Sequence, residues 1–508
     1  MFTKDILTKH STERTPLYNS EALTKIRSNS DTVIPQTILG SSIPRKLLYT
    51  PLDVRDLDYK HDLGSSGEPP FTRGIHTSMY RGRLFTIRQL SGAGSPAHIN
   101  HRLKMMLSRG ATGINLILDL PSIQMFDSDE PESLGQVGTV GVPIDCVEDM
   151  ENIYKDIPID KISSSIVTHY PQNTAILFPL FLVMAERRGV SWDTLTGSVQ
   201  NDFIMESVVR SAPSYLPHMA TFRIQCDNIE FIRNNVPRWN CMTLNGYNLR
   251  DWGTSGITEM AVALANGMET LKELCNRGYT ADYAAERLSF FWSVANDFFE
   301  EIARIRAVRR LWYKIMRYVF HAKNQKSMWM RCHVQTSGIC LQREEPLNNI
   351  VRSAYHALAA VLGGAQSLHV DSYDEAYSVP SDDTLLLSLR TQEIIAAETQ
   401  VTEVVDPVGG SFYLESLTNT IEDKILDEID YIEKCGGLIH FASSGLLRQK
   451  VEEHINHEQE MIDNGTIKIV ATQTMYAEIV KEIGRDKVDV KYVAQPKFNV
   501  HFIKRFLF

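Results

Sequence analysis

The 508-residue sequence lacks the patterns that mark secreted, membrane-spanning and disulfide-stabilised proteins. Its seven cysteines are scattered without a CxxC pair, and an odd number of separate thiols is typical of a reducing compartment. No basic leader with an apolar stretch behind it begins the chain. The longest apolar run, Ala175–Ala185, is shorter than the roughly 20 residues that cross a bilayer. We therefore predict a cytoplasmic protein without a membrane segment.

A strong excess of one charge and the common active-site motifs are also missing. The net charge of −10 is spread without long runs of one sign, which argues against nucleic acid as the main partner. No GxxxxGK[ST], HExxH or GxSxG motif occurs, and we predict no metal site. The glycines of Gly92–Ala97 loosely fit a dinucleotide fingerprint, but no acidic residue follows about 20 positions later at a strand end.

Strand-like segments of the chain carry polar residues at every second position. The sets that share a face are Thr86, Arg88 and Leu90; Ser163, Ser165, Val167 and His169; Thr196, Ser198 and Gln200; Thr243, Asn245 and Tyr247; and Arg331, His333, Gln335 and Ser337. Parallel strands buried on both faces are normally apolar throughout. Buried polar groups without partners cost about 1–3 kcal/mol each. The alternation therefore predicts a polar channel lined by these side chains.

These segments alternate with helix-like ones, which favours an α/β fold of the (β/α)₈ TIM-barrel type. A doubly wound open sheet is the alternative. The predicted strands are Phe85–Leu90, Gly113–Leu120, Ser163–His169, Thr196–Gln200, Cys241–Tyr247, Leu288–Val294, Met328–Gln335 and Gln366–Asp371. The predicted helices between and after them are Ala97–Arg109, Val147–Asp156, Asn173–Arg188, Glu259–Asn276, Asp297–His321, Leu347–Leu362 and Ser381–Thr399. We predict an N-terminal extended arm over residues 1–60, the barrel over 61–410 and a C-terminal helical extension over 411–508.

The candidate site residues cluster near the ends of the predicted strands. Arg83 and Arg88 bracket the first strand and Arg287 opens the sixth, and arginine forks suit phosphate groups. Gln200 and Tyr247 end two other strands. Barrel active sites are built at the carboxyl ends of the strands, so we expect the site there. For each cluster alone, a hydrogen-bonded core network is an equal alternative.

Several motifs together resemble the large-subunit barrel of the adenosylcobalamin-dependent acyl-CoA mutases, the methylmalonyl-CoA mutase family. They occur in order between about residues 45 and 470. The motifs are Thr86-Ile-Arg-Gln89, Phe126-Asp-Ser-Asp129, Gln200-Asn-Asp202, Gly246-Tyr247, Arg287–Trp292, His333–Gly338, Gln366-Ser-Leu-His369 and Asp406–Ser411. The resemblance implies that the pantetheine chain of CoA threads the barrel, and that radical chemistry rearranges the carbon skeleton of an acyl-CoA.

The resemblance also implies roles for individual residues. Contacts to CoA and its thioester arm would come from Arg83, Thr86, Arg88, Ser165, Ser198, Arg287, Ser289 and Gln335. Gln200 and Asn248 would hold the thioester carbonyl beside Tyr247. Arg210 would bind a free carboxylate of the substrate, and Leu90 would shape the wall opposite the adenosyl group. Asp251, Asp371 and Glu375 fall where the family's barrel meets the corrin.

Two positions depart from the methylmalonyl type, which has tyrosine where this chain has Leu90 and histidine where it has Asn248. The 2-hydroxyisobutyryl-CoA type has an aspartate at the position of Ile117, which weakens that alternative, whereas Arg210 favours a carboxylated acyl-CoA. An isobutyryl-CoA-type mutase, and a non-catalytic subunit that assembles such a complex, also stay open. Acyl-CoA binding by the isolated chain would separate an enzyme from an assembly subunit.

The family's cobalamin-binding, Rossmann-like module carries a DxHxxG signature, which this sequence does not contain. The resemblance therefore implies that a separate small subunit brings most of the adenosylcobalamin site. It further implies a hetero-oligomer built on a dimer of large subunits.

Overall fold

The computed structural model describes residues 43–46, 48–205 and 216–463. Its strands are β1 Thr86–Ile87, β2 Leu90–Ser91, β3 Gly113–Ile117, β4 Ser163–Val167, β5 Gly197–Val199, β6 Met242–Asn245, β7 Leu288–Val294, β8 Cys332–Thr336 and β9 Ser367–His369. All eight predicted strands are present; β7 has the predicted bounds, and most of the others are shorter than predicted. The first is divided in two because its halves pair with different neighbours.

The strands form two parallel sheets in the orders β2-β3-β4-β5 and β1-β9-β8-β7-β6. The run from β1 to β2 takes part in both sheets, since Thr86 pairs with Ser367 and Leu90 pairs with Asn115. On the other side, an isolated parallel bridge joins Ser198 to Asn240. Because neighbouring strands follow chain order without a reversal, the doubly wound alternative does not fit. The parallel α/β fold is confirmed, whereas the described ladders do not themselves close into a barrel.

Helices follow most of the strands and pack against the outside of the sheets. They are α1 Met79–Gly82, α2 Pro96–Ser108, α3 Leu120–Gln124, α4 Val147–Ile153, α5 Pro171–Arg187, α6 His218–Asn235, α7 Tyr247–Trp252, α8 Gly256–Asn276, α9 Ala281–Ala285, α10 Phe298–Lys314, α11 Asn348–Gly363, α12 Asp382–Glu398, α13 Phe412–Lys434, α14 Leu438–Ser443 and α15 Leu446–Asp463. Helix α6 was not predicted from the sequence, although apolar residues recur at helical spacing on its buried face. They are Phe222, Cys226, Ile229 and Ile232.

In several strands, alternate residues separate an apolar outer layer from a largely polar interior. In β4, Ile166 is fully buried in the core, whereas Ser163 and Ser165 on the opposite face are half-buried. Leu244 and Val334 continue the apolar layer in β6 and β8. This arrangement agrees with the alternation in the sequence, because successive strand residues point to opposite faces.

Helix α10 is buried although its sequence is rich in charge. It packs against α11 and against α13, the first helix of the predicted C-terminal extension. Arg304 pairs with Glu259 of α8 at 2.7 Å, and both side chains are fully buried. Arg306 pairs with Glu415 of α13 at 2.6 Å. Buried charges need such partners to offset desolvation, so these ion pairs fix α10 against its neighbours.

Residues 1–42 of the predicted arm and 464–508 of the predicted extension lie outside the described part of the chain. Within the described ranges, no helix combines the length and the apolar character needed to span a bilayer.

Candidate functional site

A cavity of about 560 Å³ lies between the two sheets. Seven of the predicted site residues line it: Arg83, Thr86, Arg88, Ser165, Ser198, Gln200 and Ser289. They come from β1, β4, β5 and β7, and from the residues beside those strands. Among the strand residues, Thr86, Ser165 and Ser198 belong to the polar faces that the sequence analysis described, whereas Ser289 of β7 does not. The cavity is therefore lined largely by the polar positions that predicted a channel.

The exposed end of the cavity is formed by residues that precede the strands. Exposed His76 and Arg83 precede β1, while Arg331 and Gln366 immediately precede β8 and β9, and all four line the cavity. The mouth is therefore at the amino-terminal ends of the strands, not at the carboxyl ends where barrel sites are usual. Arg83 and Arg287 precede their strands, so neither could belong to the carboxyl-end rim.

Arg88 lines the cavity, and its guanidinium is held by the sheet. Its Nη1 donates to the carbonyl oxygen of Ile114 at 2.6 Å, and its Nη2 donates to the Ser163 hydroxyl at 2.6 Å. Gly113 makes room for it, since a Cβ there would lie 3.0 Å from the guanidinium carbon. Burial lowers the pKa of Arg88 to about 10, with a further contribution from the charge of Arg83.

The arginines around the cavity have an acidic neighbour in Glu286, whose charge acts on Arg331 without forming an ion pair with it. Burial, and then the charge of Arg287, lowers the pKa of Arg331 to about 10. Among the described residues, no carboxylate forms an ion pair with Arg83, Arg88 or Arg331. Uncompensated positive charge in a cleft attracts anions. This end of the cavity is therefore suited to an anionic ligand.

Hydroxyl groups and one amide line the middle of the cavity. Ser198 Oγ donates to Ser165 Oγ at 3.1 Å, and the hydroxyls of Thr243 and Ser289 lie 2.9 Å apart. The Oε1 atom of Gln200 is buried without a hydrogen-bond partner among the described residues. A buried polar atom that lacks a partner is costly. A ligand that fits beside Gln200 would therefore donate a hydrogen bond to its Oε1 atom or place another polar group against it.

A second polar cluster lies beyond the cavity, at the carboxyl ends of the strands. Tyr247, Gln335 and Asp371 form its centre: Gln335 Nε2 donates to Tyr247 Oη at 2.9 Å and to Asp371 Oδ1 at 2.8 Å. Burial, and then the charges of Asp251, Asp371 and Glu375, holds the pKa of Tyr247 well above its ordinary value. The tyrosine is therefore a neutral hydroxyl at any physiological pH.

Phe291 connects the cavity to this second cluster. It lines the cavity, and its ring stacks on Tyr247 with the centroids 4.8 Å apart. The ring of His333, which also lines the cavity, lies 5.0 Å from that of Phe291. Burial lowers the pKa of His333 well below its usual value, so the imidazole is neutral. These three rings form the boundary between the two groups of site residues.

Asn248 stands at the edge of the second cluster and is positioned by its own turn. Its backbone N–H donates to Asn245 Oδ1 at 3.0 Å, and the N–H of Asn245 donates to Asp202 Oδ2 at 2.9 Å. The side-chain Nδ2 of Asn248 is buried without a partner among the described residues. An amide N–H is thus left to donate to a ligand.

Two of the predicted corrin contacts, Asp371 and Glu375, lie beside Gly338, the glycine after β8. A Cβ on Gly338 would meet Asp371 Oδ2 at 3.5 Å, Tyr247 Oη at 3.7 Å and Glu375 Cγ at 3.8 Å. The charge of Asp251 also raises the pKa of Tyr247. The acidic residues fit the amide side arms of a corrin, because carboxylates accept hydrogen bonds from amides.

Other predicted residues have different positions. Leu90 is half-buried in β2 and does not line the cavity, and its N–H donates to His369 Nδ1 at 3.1 Å. Arg287 lies outside the lining, with Nη1 3.5 Å from the carbonyl oxygen of Arg238. Arg210 falls within residues 206–215, outside the described part of the chain.

The candidate list drawn from the sequence omitted several residues that line the cavity. They are His76, Asn115, Ser163, Thr243, Phe291, Arg331, His333 and Ser367. Four of them, Ser163, Thr243, Arg331 and His333, belong to the polar faces read from the sequence. Phe291 shares a face of β7 with Ser289, so the two-residue period could have found it. His76 precedes the strands and carries no such signal.

Comparison with known proteins identifies the family. The family model described as methylmalonyl-CoA mutase matches residues 39–502. The chain is 39% identical over 410 residues to the 2-hydroxyisobutanoyl-CoA mutase large subunit of Aquincola tertiaricarbonis, covering 81% of this chain and 72% of the relative. It is 38% identical over 454 residues to the methylmalonyl-CoA mutase of Cereibacter sphaeroides, covering 89% and 63%, respectively.

The mitochondrial methylmalonyl-CoA mutase of Homo sapiens is also 38% identical, over 452 residues that cover 89% of this chain and 59% of the human protein. The chain thus spans about three fifths of the length of these methylmalonyl-CoA mutases. The match of the family model over most of the sequence agrees with the parallel α/β fold and its polar cavity. The chain belongs to the methylmalonyl-CoA mutase family of acyl-CoA isomerases.

Proposed function

We propose that this chain is the acyl-CoA-binding large subunit of an adenosylcobalamin-dependent mutase, and that its two sheets are halves of one (β/α)₈ barrel over residues 61–410. The sheets meet through the run from β1 to β2 and through the bridge between Ser198 and Asn240. The observation that carries the proposal is the cavity between them, with arginines at its mouth and hydroxyls inside.

The chemistry of CoA follows the same order as the cavity lining. Its phosphates are anionic and would bind Arg83, Arg287 and Arg331 near the mouth, where these arginines form no ion pair with a carboxylate of the described residues. Its pantetheine arm carries amides and a hydroxyl, which would hydrogen-bond with Ser165, Ser198 and the neighbouring hydroxyls. Thr86 and the guanidinium of Arg88, which meet Gly113 and Ser163 at the amino-terminal ends of β3 and β4, would border the arm nearer the mouth.

The thioester carbonyl would lie between the cavity and the cluster around Tyr247. Gln200 faces this region with an unpartnered oxygen, and Asn248 has an unpartnered amide nitrogen. We propose that Asn248 donates to the carbonyl oxygen, because an amide donates a hydrogen bond without transferring a proton. Gln335 and Tyr247 would orient the acyl group beside it, and the surrounding walls would exclude water.

Adenosylcobalamin would be held mainly by a small partner subunit and would meet this chain at Asp251, Asp371 and Glu375. When bound, this cofactor supplies radical chemistry. The three acidic residues would accept hydrogen bonds from the amide arms of the corrin. Asp371 Oδ1 already accepts from Gln335 and lies 3.0 Å from His369 Nε2, so this contact would couple cofactor and substrate residues.

For the substrate we propose a short acyl-CoA with a free carboxylate, which Arg210 would bind. A charge-assisted pair of this kind is about twice as strong as a neutral hydrogen bond. A 2-hydroxyisobutyryl-type substrate is the second candidate, favoured by the similarity to the large subunit from Aquincola tertiaricarbonis. Turnover of methylmalonyl-, isobutyryl- and 2-hydroxyisobutyryl-CoA with the small subunit would decide between them. Binding without turnover of any acyl-CoA would indicate an assembly subunit.

Binding by the full chain tests the proposal directly. Arg83→Gln is expected to weaken methylmalonyl-CoA binding by about tenfold and to reduce its salt dependence, because the variant loses one cation at the mouth. Isothermal titration at two salt concentrations measures both effects. Arg223→Gln is the matched control, since Arg223 is an exposed residue of α6 that does not line the cavity.

Two outcomes would contradict the proposal. If the wild-type chain bound no acyl-CoA at concentrations up to millimolar, acyl-CoA could not be the ligand of the cavity. Equal losses from Arg83→Gln and Arg223→Gln would show that general charge, rather than the cavity, controls binding.

A further inference from the structure

Arg331 lies at the mouth of the cavity, and its guanidinium group packs on the ring of Trp329. The guanidinium carbon of Arg331 is 5.1 Å from the centroid of that ring. The face of an aromatic ring attracts cations, and indole gives the strongest contact of this kind among the aromatic side chains. The backbone brings the two side chains together, because the N–H of Arg331 donates to the carbonyl oxygen of Trp329 at 3.1 Å in a tight turn around Met330.

In the described part of the chain, the hydrogen bond of this guanidinium goes to a neutral group. Arg331 Nη1 donates to the backbone carbonyl oxygen of Glu286 at 2.8 Å. The carboxylate of Glu286 turns to another arginine, with its Oε2 3.7 Å from Nη2 of Arg233. Because a guanidinium carries five N–H groups, Arg331 keeps donors for a ligand at the mouth.

This way of holding an arginine preserves its charge. A carboxylate partner would neutralise the guanidinium and would occupy the same N–H groups that an anionic ligand needs. Arg304 is an arginine of that kind, since it is fully buried and pairs with Glu259 and Glu301. An indole face and a carbonyl oxygen, by contrast, fix the position of Arg331 and leave its positive charge available.

Trp329 also connects the two sides of the mouth. Its ring meets the ring of His76 edge to face, with the centroids 5.2 Å apart. His76 precedes β1 and Trp329 precedes β8, so the contact joins segments that are distant in the sequence. His76 and Arg331 both line the cavity, whereas Trp329 is half-buried and lies outside the lining. The indole therefore supports two lining residues without being one itself.

We propose that Trp329 is a positioning residue that holds the guanidinium of Arg331 at the mouth, ready for the phosphate groups of CoA. The inference rests on the proposed function, in which Arg331 binds these phosphates. Trp329 itself would touch no part of the ligand. Without the ring, Arg331 would have to be ordered when the ligand binds, and this ordering would reduce the affinity.

The experiment compares two ligands that differ in whether they carry the phosphates, propionyl-CoA and propionyl-pantetheine. Isothermal titration of the full-length chain measures both affinities. Trp329→Leu is expected to weaken binding of propionyl-CoA by about 5- to 10-fold and to leave propionyl-pantetheine within about twofold of the wild type. Trp329→Phe keeps a ring that attracts cations less strongly, so it should recover part of the lost affinity.

Two controls separate positioning from general packing. Trp192→Leu removes another half-buried indole, which packs on Phe231 at 6.4 Å and lies outside the cavity lining, so it should bind both ligands like the wild type. Arg331→Gln should weaken propionyl-CoA by itself. Adding Trp329→Leu to that variant should cause no further loss, because the tryptophan acts through the arginine.

Equal weakening of both ligands by Trp329→Leu, or a full additional loss in the Arg331→Gln background, would overturn this inference and leave the proposed function standing. A wild-type chain that bound neither ligand would contradict the proposed function. Inorganic pyrophosphate would then be the probe, and equal pyrophosphate affinities of the wild type and Trp329→Leu would overturn the inference as well.

Should Trp329→Leu not fold, Trp329→Phe is measured in its place, since it keeps an aromatic ring in the packing. It must weaken propionyl-CoA by about 2- to 3-fold and leave propionyl-pantetheine unchanged, because the phenyl face is the weaker partner for a cation. An unchanged affinity for propionyl-CoA would overturn the inference.

Discussion

At the scale of single residues, the cavity combines polar atoms that have partners with polar atoms that lack them. Gln200 illustrates the second kind, because its Oε1 is buried without a partner among the described residues. Gln225 illustrates the first: its Oε1 accepts the N–H of Phe203 and its Nε2 donates to Thr270, both at 2.8 Å. The two glutamines are alike in burial and differ in whether the fold satisfies them.

We predict that Gln200→Met weakens acyl-CoA binding while it keeps or raises the free energy of unfolding, by up to about 1 kcal/mol, because an unsatisfied buried oxygen is removed. Gln225→Met should instead destabilise the protein by about 1–3 kcal/mol, because two satisfied hydrogen bonds are lost. Urea unfolding and isothermal titration measure both quantities. Equal destabilisation by the two substitutions would show that Gln200 is part of the structural core.

The residue scale also shows what the sequence could and could not reveal. The two-residue alternation correctly predicted that Thr86, Ser165 and Ser198 face a common interior. It could not reveal that His369 holds the N–H of Leu90, because that contact depends on where β9 and β2 lie in space. Neither could it place the arginines at the amino-terminal mouth, since a position near a strand does not tell which end of the cavity is open.

At the scale of elements, the sequence predicted strands and apolar helices well and buried charged helices poorly. Helix α10 was predicted to start one residue early and to end seven residues beyond Lys314, and its arginines gave no sign of complete burial. Each arginine finds its partner on a distant element, such as Glu259 of α8 or Glu415 of α13. Such pairs form only in the folded chain, so local patterns carry no information about them.

We predict that Arg304→Met destabilises the protein by about 3–5 kcal/mol, because it leaves the fully buried Glu259 without its ion-pair partner and removes the closer of the two arginines that pair with Glu301. The exposed Arg187, which pairs with Glu148 and Glu151, provides the comparison. Arg187→Met should hardly change the unfolding midpoint, because solvent screens exposed ion pairs. Chemical denaturation of both variants gives the measurement, and similar midpoints would contradict a stabilising role for the buried pair.

At the scale of the whole molecule, buried titratable groups make stability depend on pH in opposite directions. Burial lowers the pKa of His369 to about 4 and that of His356 to about 3. Below about pH 6.5 the unfolded chain binds protons at these histidines that the folded chain does not, so they reduce stability as pH falls. Burial raises the pKa of Asp202 to about 6, so the folded chain binds that proton first and gains stability as pH falls below 6.

The wild-type free energy of unfolding is therefore expected to decrease between pH 6.5 and pH 4.5, with Asp202 reducing the slope. Asp202→Asn removes the opposing contribution, so its stability should fall more steeply over the same range. Urea unfolding at several pH values provides the test. A variant slope equal to or shallower than that of the wild type would show that Asp202 is ionised in the folded protein at these pH values.

The position of the cavity mouth has a consequence for the order of events in an assembled complex. The mouth lies at the amino-terminal ends of the strands, and the acidic residues around Gly338 lie at the opposite ends. If the proposed cofactor-bearing subunit docks over the latter, the entrance for CoA would stay uncovered on the far side. We therefore expect that substrate and product would exchange through successive turnovers without dissociation of the two subunits.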